Sequence, residues 1–280
     1  MGGINFRPLY LFINTFLHDC GGGLLNFFVI LQMLAKGMIP SIAIFGLTLI
    51  LSLPLGLAVS FGRMSKAAPF RCLEKTECKY SSRTARFKPA KLLIKTYVSI
   101  IHWIARFKPA QLIMKIYISI MRGTPLMLQL MFVYYGPWYI FHIKISNNYQ
   151  FWAVIIAFVV NYAAYFAEIY RSGIESMPVG QYEAAEVLGY GKAQAFFKII
   201  LPQVIKHILP SVTNELITLV KDTSLAFVIA YSEMFTVAKQ LSAKESSVIP
   251  FLGAAIFYYV FNLIVAMVME KAENKMSYYQ

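Results

Sequence analysis

The chain has 280 residues, 58% of them hydrophobic and only 14% charged, with a mean hydropathy of +0.59 and a formal charge of +13. An ordinary soluble domain carries roughly 25% charged residues, so this composition excludes disorder, collagen and disulfide scaffolds and indicates a membrane protein. A basic chain this apolar holds its excess charge on one side of a bilayer, which argues against nucleic acid as a partner.

Residues 1–36 are expected to form an extracytoplasmic or interfacial segment. Gly21-Gly22-Gly23 separates two short apolar pieces, and Lys36-Gly37 and Pro40 argue against merging the second piece with the apolar run after it. Residues 37–62 carry no charge, which predicts a first span over 38–62. A basic loop over 63–111 comes next. Between Arg63 and Lys108 lie twelve Lys and Arg against only Glu74 and Glu77, a local charge of +10. The positive-inside rule makes that loop cytoplasmic.

The loop contains a tandem repeat, 85–104 and 105–124, whose first sixteen positions match at eleven. Two copies are too few for a solenoid, so this is a local duplication. The first copy is either a surface-lying amphipathic helix, with its cations near anionic headgroups, or a solvated loop. The second copy leads into a second span over 112–136.

A third span is predicted over 150–171, a fourth over 207–237 and a fifth over 247–269, with a cytoplasmic tail over 271–280. The fourth contains Glu215, Lys221 and Asp222, which marks it as packed among other helices and broken near Lys221–Asp222. The fold class is therefore all-α membrane protein with about five transmembrane helices, N-terminus outside and C-terminus cytoplasmic.

Several polar residues in the spans are candidates for a translocation path or gate. Glu168 and Arg171 share a helix face, as a structural ion pair or as gate residues. Lys221 and Asp222 form either a neutralising internal pair or part of the path. Asn161, Tyr162 and Tyr165 serve either in helix–helix hydrogen bonding or in the pore lining. Three cysteines (Cys20, Cys72, Cys78) fit no zinc or redox spacing, and the four histidines are scattered, so no metal site is expected.

The loop over 172–206 differs from the rest. Gly173, Pro178, Gly180, Gly189, Gly191 and Pro202 punctuate two short helical pieces joined by a turn. This cytoplasmic helix–turn–helix is rich in small and aromatic residues, as suits docking to a partner groove.

Its residues resemble a known family. Glu183-Ala184-Ala185, Gly189, Ile199, Leu201 and Pro202 keep every spacing of the motif of permease subunits in importer-type ABC transporters. Arg122-Gly123-Thr124-Pro125, with Tyr134-Tyr135-Gly136 after it, looks like the second-span signature of the polar amino-acid branch. Asn214-Glu215-Leu216 and Lys221-Asp222-Thr223-Ser224-Leu225 look like its fourth-span signature. The resemblance covers roughly 37–270, the transmembrane domain; the extra copy at 85–104 and residues 1–36 depart from it.

The resemblance implies a subunit that forms the path for a polar amino acid in a bacterial inner or plasma membrane. Glu183 would orient the coupling element, Ala184 and Ala185 would sit in the groove of a separate ATPase, and Gly189 would make the turn. The implied partners are ABC ATPase subunits, an extracytoplasmic solute-binding protein, a second permease copy (identical or related) and lipid. The sequence has no phosphate-binding loop, so no cofactor is expected on this chain, and ATP and Mg belong to the ATPase. An ATP-independent secondary transporter or channel explains the spans but not the docking element.

Overall fold

A computed structural model describes residues 23–64, 108–144, 146 and 148–276, and every regular element among them is helical. In chain order these are α1 (Gly23–Met64), α2 (Lys108–Gly123), α3 (Leu126–Phe141), α4 (Tyr149–Glu175), α5 (Val179–Val187) and α6 (Lys192–Ala195). A π-helical turn over Phe196–Ile200 leads into α7 (Leu201–Asp222). A 3-10 stretch over Thr223–Ile229 then precedes α8 (Met234–Glu245) and α9 (Ile249–Lys275). By length and composition, Phe28–Met64, Tyr149–Glu175 and Ile249–Lys275 can each cross a membrane. A fourth crossing results if the bent pair Gln111–Gly123 and Leu126–Phe141 counts as one.

α4 is the axis of the molecule. Phe158, Tyr162 and Phe166 are buried on it, packed with Ile44 of α1, Leu130 of α3, Leu216, Leu219 and Val220 of α7, and Val265 of α9. Ala163 and Ala167, four apart and fully buried, make a small-residue stripe that admits α1 closely. Gly56 of α1 meets it so tightly that an added Cβ would stand 2.8 Å from Phe166 Cβ. By contrast α9 leaves Leu252, Ile256, Tyr259, Leu263 and Val268 exposed, as lipid-facing residues are.

Two expectations are corrected. First, no break separates residues before 37 from the first span: α1 runs unbroken from Gly23, through Lys36, Gly37 and Pro40. Gly37 marks a close approach instead, since a Cβ there would lie 3.0 Å from Met234 Cα. Leu34 and Met38 are buried against Met234, Ala238 and Ala254, so tertiary packing outweighs the local breakers.

Second, the span over 112–136 is two helices meeting at 109°. Pro125 offers no N–H and drives Thr124 away from helical geometry, which parts α2 from α3. The segment 207–237 breaks where the sequence marks it, with α7 ending at Asp222. Thr223 Oγ1 donates to Val220 O at 2.8 Å and Ser224 Oγ to Lys221 O at 2.7 Å, drawing the carbonyls away from a continuing ladder. The first repeat copy, 85–104, and most of the basic loop lie outside the described residues.

Candidate functional site

The break between α2 and α3 is held by a knot of amide and hydroxyl groups. Asn161 Nδ2 donates to Met121 O at 3.1 Å and to Gln129 Oε1 at 2.9 Å. Gln129 Nε2 in turn donates to Thr124 Oγ1 at 2.8 Å, and Thr124 Oγ1 donates to Ile120 O at 2.8 Å. Together they satisfy backbone groups that the break would otherwise leave bare in an apolar setting. Asn161 thus positions the α2–α3 elbow as well as facing the space beside it.

That space is a cavity of about 540 Å³. It is lined by Arg122–Leu126 from the elbow, Asn161, Tyr162 and Tyr165 from α4, Glu215, Thr218 and Asp222 from α7, and Leu225. Sequence-distant signatures therefore converge on one concavity of ordinary ligand-pocket size. Glu215, Thr218 and Asp222 recur at helical spacing along one face of α7. Tyr162 donates its hydroxyl to Asp222 Oδ2 at 2.7 Å. The Arg122 guanidinium lies over the Tyr165 ring, 5.5 Å from its centre.

Two candidates lie elsewhere. Lys221 is exposed and does not line the cavity; among the described residues no close ion pair joins it to Asp222, which accepts from Tyr162, although the Lys221 charge still acts on that carboxylate. Glu168 and Arg171 pair with each other as the spacing predicts, but in a longer ladder at the far end of α4. Arg63 from the end of α1 pairs with Glu168, and Arg171 also reaches Glu175. Sequence reasoning missed Arg63, because it read that residue only as the edge of a charged loop. Gln129 and Thr218 were missed too; their one signal is a polar side chain on an otherwise apolar helix.

The 183–202 element lies directly beyond this ladder. Pro178 opens α5, and Gly189 closes it at φ +74, a conformation that side chains other than glycine resist. Tyr190 N–H donates to Ala185 O at 3.0 Å and Gly189 N–H to Glu186 O at 2.9 Å, the paired bonds of a Schellman cap. At the other end of the motif, Pro202 lacks the N–H that would continue the ladder to Lys198. The π-helical turn falls at that point.

Glu183 and Ala184 are exposed, whereas Ala185 is buried within this chain. Ile199 and Leu201 pack inward on a small core of Met64, Ile174, Phe196, Ile200, Val204 and Ile208. That core joins the element to the ends of α1 and α4. Gln203 Nε2 adds a tie to Gln181 Oε1 at 3.3 Å, and burial pushes the Tyr182 phenol upward. Gly173, read from sequence as punctuation, lies inside α4. An added Cβ there would fall 2.1 Å from Ile208 Cγ2, so it marks a close approach to α7. The outward tip instead carries Val187 and Leu188, 88% and 72% exposed, which the sequence reading did not single out.

The family described as "Binding-protein-dependent transport system inner membrane component" matches residues 98–278. The arginine transport system permease protein ArtQ of Bacillus subtilis (strain 168) is 39% identical over 156 residues, 55% of this chain and 70% of that protein. A putative glutamine transport system permease protein, GlnP of Rickettsia typhi, is 37% identical, again over 55% of this chain and 70% of that protein. Among solved structures, an amino acid ABC transporter crystallised with histidines aligns at a TM-score of 0.69 and 25% identity, covering 91% of this chain and 99% of that one. The MetNI methionine ABC transporter, in inward-facing form, shares the fold at a TM-score of 0.55 and 14% identity.

Proposed function

From the premise that this chain belongs to the family of binding-protein-dependent transport system inner membrane components, as the permease subunit of an importer, we propose how its parts divide the work. The cavity between the α2–α3 elbow, α4 and α7 is the translocation path for a polar amino acid. The 183–202 element receives the drive from a separate ATPase. The convergence of Arg122, Asn161, Tyr162, Glu215 and Asp222 on one cavity carries this reading. The arginine and glutamine systems to which the relatives belong support the substrate class.

An α-amino acid presents one carboxylate and one ammonium. Arg122 offers a planar donor fork for the first, and the carboxylates of α7 offer acceptors for the second. Ionised groups lining a cavity among membrane helices cannot face hydrocarbon, so a second permease copy covers the open side. Lipid covers the apolar faces of α1 and α9. An extracytoplasmic solute-binding protein delivers the substrate, and selection begins there. ATP and Mg are bound by the ATPase, on the side where the basic loop lies, in a bacterial inner or plasma membrane.

Force enters through the exposed residues of α5, where Glu183, Ala184, Val187 and Leu188 face outward. It passes through the core shared by Met64, Ile174, Phe196, Ile200 and Val204 to α1 and α4. The ion ladder of Arg63, Glu168, Arg171 and Glu175 makes those two helices move together at that end. The step is a rigid-body change between inward-facing and outward-facing states.

Gly189→Val and Glu183→Lys test the coupling. Both should abolish ATP-dependent uptake and co-purification of the ATPase while leaving membrane insertion intact. Normal ATPase docking by both variants would overturn the assignment.

A further inference from the structure

We propose that α2 lies in the plane of the membrane at its cytoplasmic face and binds anionic phospholipid there, with Lys115 among the headgroups and Leu112, Ile113, Ile116 and Ile120 among the acyl chains. The proposal goes beyond the assignment of the cavity and does not depend on it.

α2 is too short and too sharply turned to cross. Its 16 residues measure about 24 Å, against about 30 Å of hydrocarbon. α3 follows α4 toward its first turn, where the Tyr149 hydroxyl donates to Val133 O at 2.8 Å. α2 meets α3 at 109°, close to a right angle, so it runs across the direction in which α3 and α4 pass through the bilayer. It rests on Ala164 and Ala167 in the later half of α4 and on Val59 in the later half of α1. Those halves lead to the Arg63–Glu168 pair and to the basic stretch after it, which is the cytoplasmic side.

Helical spacing sorts the side chains of α2 into three adjoining arcs. Met114, Tyr117, Ile118 and Met121 form the protein-facing arc, and the Tyr117 hydroxyl donates to Val160 O. Leu112, Ile113, Ile116 and Ile120 form the second, and all four are exposed. Gln111, Lys115, Ser119 and Arg122 form the third. A helix facing water on its free side would not carry four large aliphatic side chains there, and one sunk in hydrocarbon would not carry a polar stripe beside them. The boundary between acyl chains and headgroups therefore runs along the helix, as it does for interfacial amphipathic helices.

Charge selects the lipid. Arg122 is turned over the Tyr165 ring and lines the cavity. Lys115 is exposed at the boundary, and among the described residues it has no ion pair. The stretch Arg63–Lys108, with its charge of +10, leads straight into α2. A phospholipid with a negative headgroup complements that cation and the apolar arc next to it at once. Lipid thereby braces the helix from which Arg122 enters the cavity.

The experiment is fluorescence quenching in the full-length permease, reconstituted in nanodiscs of phosphatidylcholine and phosphatidylglycerol. A bimane probe is attached to I116C after C20S, C72S and C78S have removed the native thiols. Trace phospholipids carry a spin label either near the headgroup or near the chain end. The label near the headgroup should quench more strongly than the deep one. Spin-labelled phosphatidylglycerol should quench about threefold or more as strongly as phosphatidylcholine with the same label. K115Q should lower that ratio to the value found with the probe on Y259C of α9, a lipid-facing control. Lys115 is exposed, so K115Q is expected to fold, and a single peak on size exclusion checks it.

Stronger quenching by the deep label would put α2 inside the hydrocarbon, and absence of quenching would put it in water or against another protein. Either result would overturn the proposal. Equal quenching by the two headgroups, or a ratio that K115Q leaves unchanged, would overturn anionic lipid as the partner.

Discussion

Two groups of charged residues hang on α4, one near its middle and one at its Glu175 end, and they are built on opposite plans. At the end, Arg63, Glu168, Arg171 and Glu175 alternate in sign, and each meets an opposite charge from this chain. At the middle, Asp222 meets a neutral phenol, and the acids of α7 outnumber the single cation Arg122. The first plan is complete without any visitor and fixes α1 to α4. The second leaves its charged groups facing a cavity. Residue type alone separates neither; what separates them is whether the charges close into direct ion pairs.

The comparison breaks most readily at the ladder. Glu168→Lys sets a third cation against Arg63 and Arg171, and ATP-driven uptake should fall at least tenfold in vesicles with equal protein content. Combining Arg63→Glu with Glu168→Arg should recover part of it. Glu168→Gln, which removes one partner of a half-buried pair, should lower stability by about 1–3 kcal/mol, less than for a fully buried pair. An unchanged melting temperature for that variant would mean that the ladder holds nothing together.

Gly173→Ala sharpens the comparison from the position where α4 touches α7. Overpacking against Ile208 should cost about 1–3 kcal/mol by denaturant titration and displace the Glu175 end without touching the cavity lining. Asn161→Ala, which loosens the elbow beside the cavity, should cost about 1 kcal/mol per hydrogen bond lost. A double-mutant cycle with Gln129→Ala should show coupling between the two, since they share one bond. The smallest effect is expected from deleting 85–104. The deletion removes Arg86, Lys88, Lys91 and Lys95 and restores a single ARFKPA, and both charge groups lie outside it. Uptake should stay near normal, and its loss would give the duplicate a role.

The cavity was legible in fragments. Arg122–Pro125, Asn161, Tyr162, Glu215 and Asp222 each stand out in the sequence as polar groups within apolar runs, yet nothing in a linear chain says that they share one space. The bend that brings Arg122 to Tyr165 reads as a continuous span, because absence of charge is blind to a Thr-Pro elbow. Arg63 cannot be paired with Glu168 from spacing, because 105 residues separate them. The start of α1 is misread because local breakers such as Gly37 and Pro40 weigh little once Leu34 and Met38 are buried. Gly189 reads correctly, since a turn and its glycine are adjacent in the chain and need no tertiary information.

α1 has a consequence of scale. Its 42 residues give a rod of roughly 60 Å, about twice the thickness of a hydrocarbon core. Leu34 and Met38, in its first half, are seated on α8 and α9, and Arg63, at its last turn, pairs with α4 near α5. A single helix therefore links the α8–α9 packing to the Glu168 end of α4. A displacement of its foot must appear at its head as a tilt, except for what Pro40 and Pro54 absorb as flex points. Stiffening those two positions would change the length of the stroke rather than the force behind it.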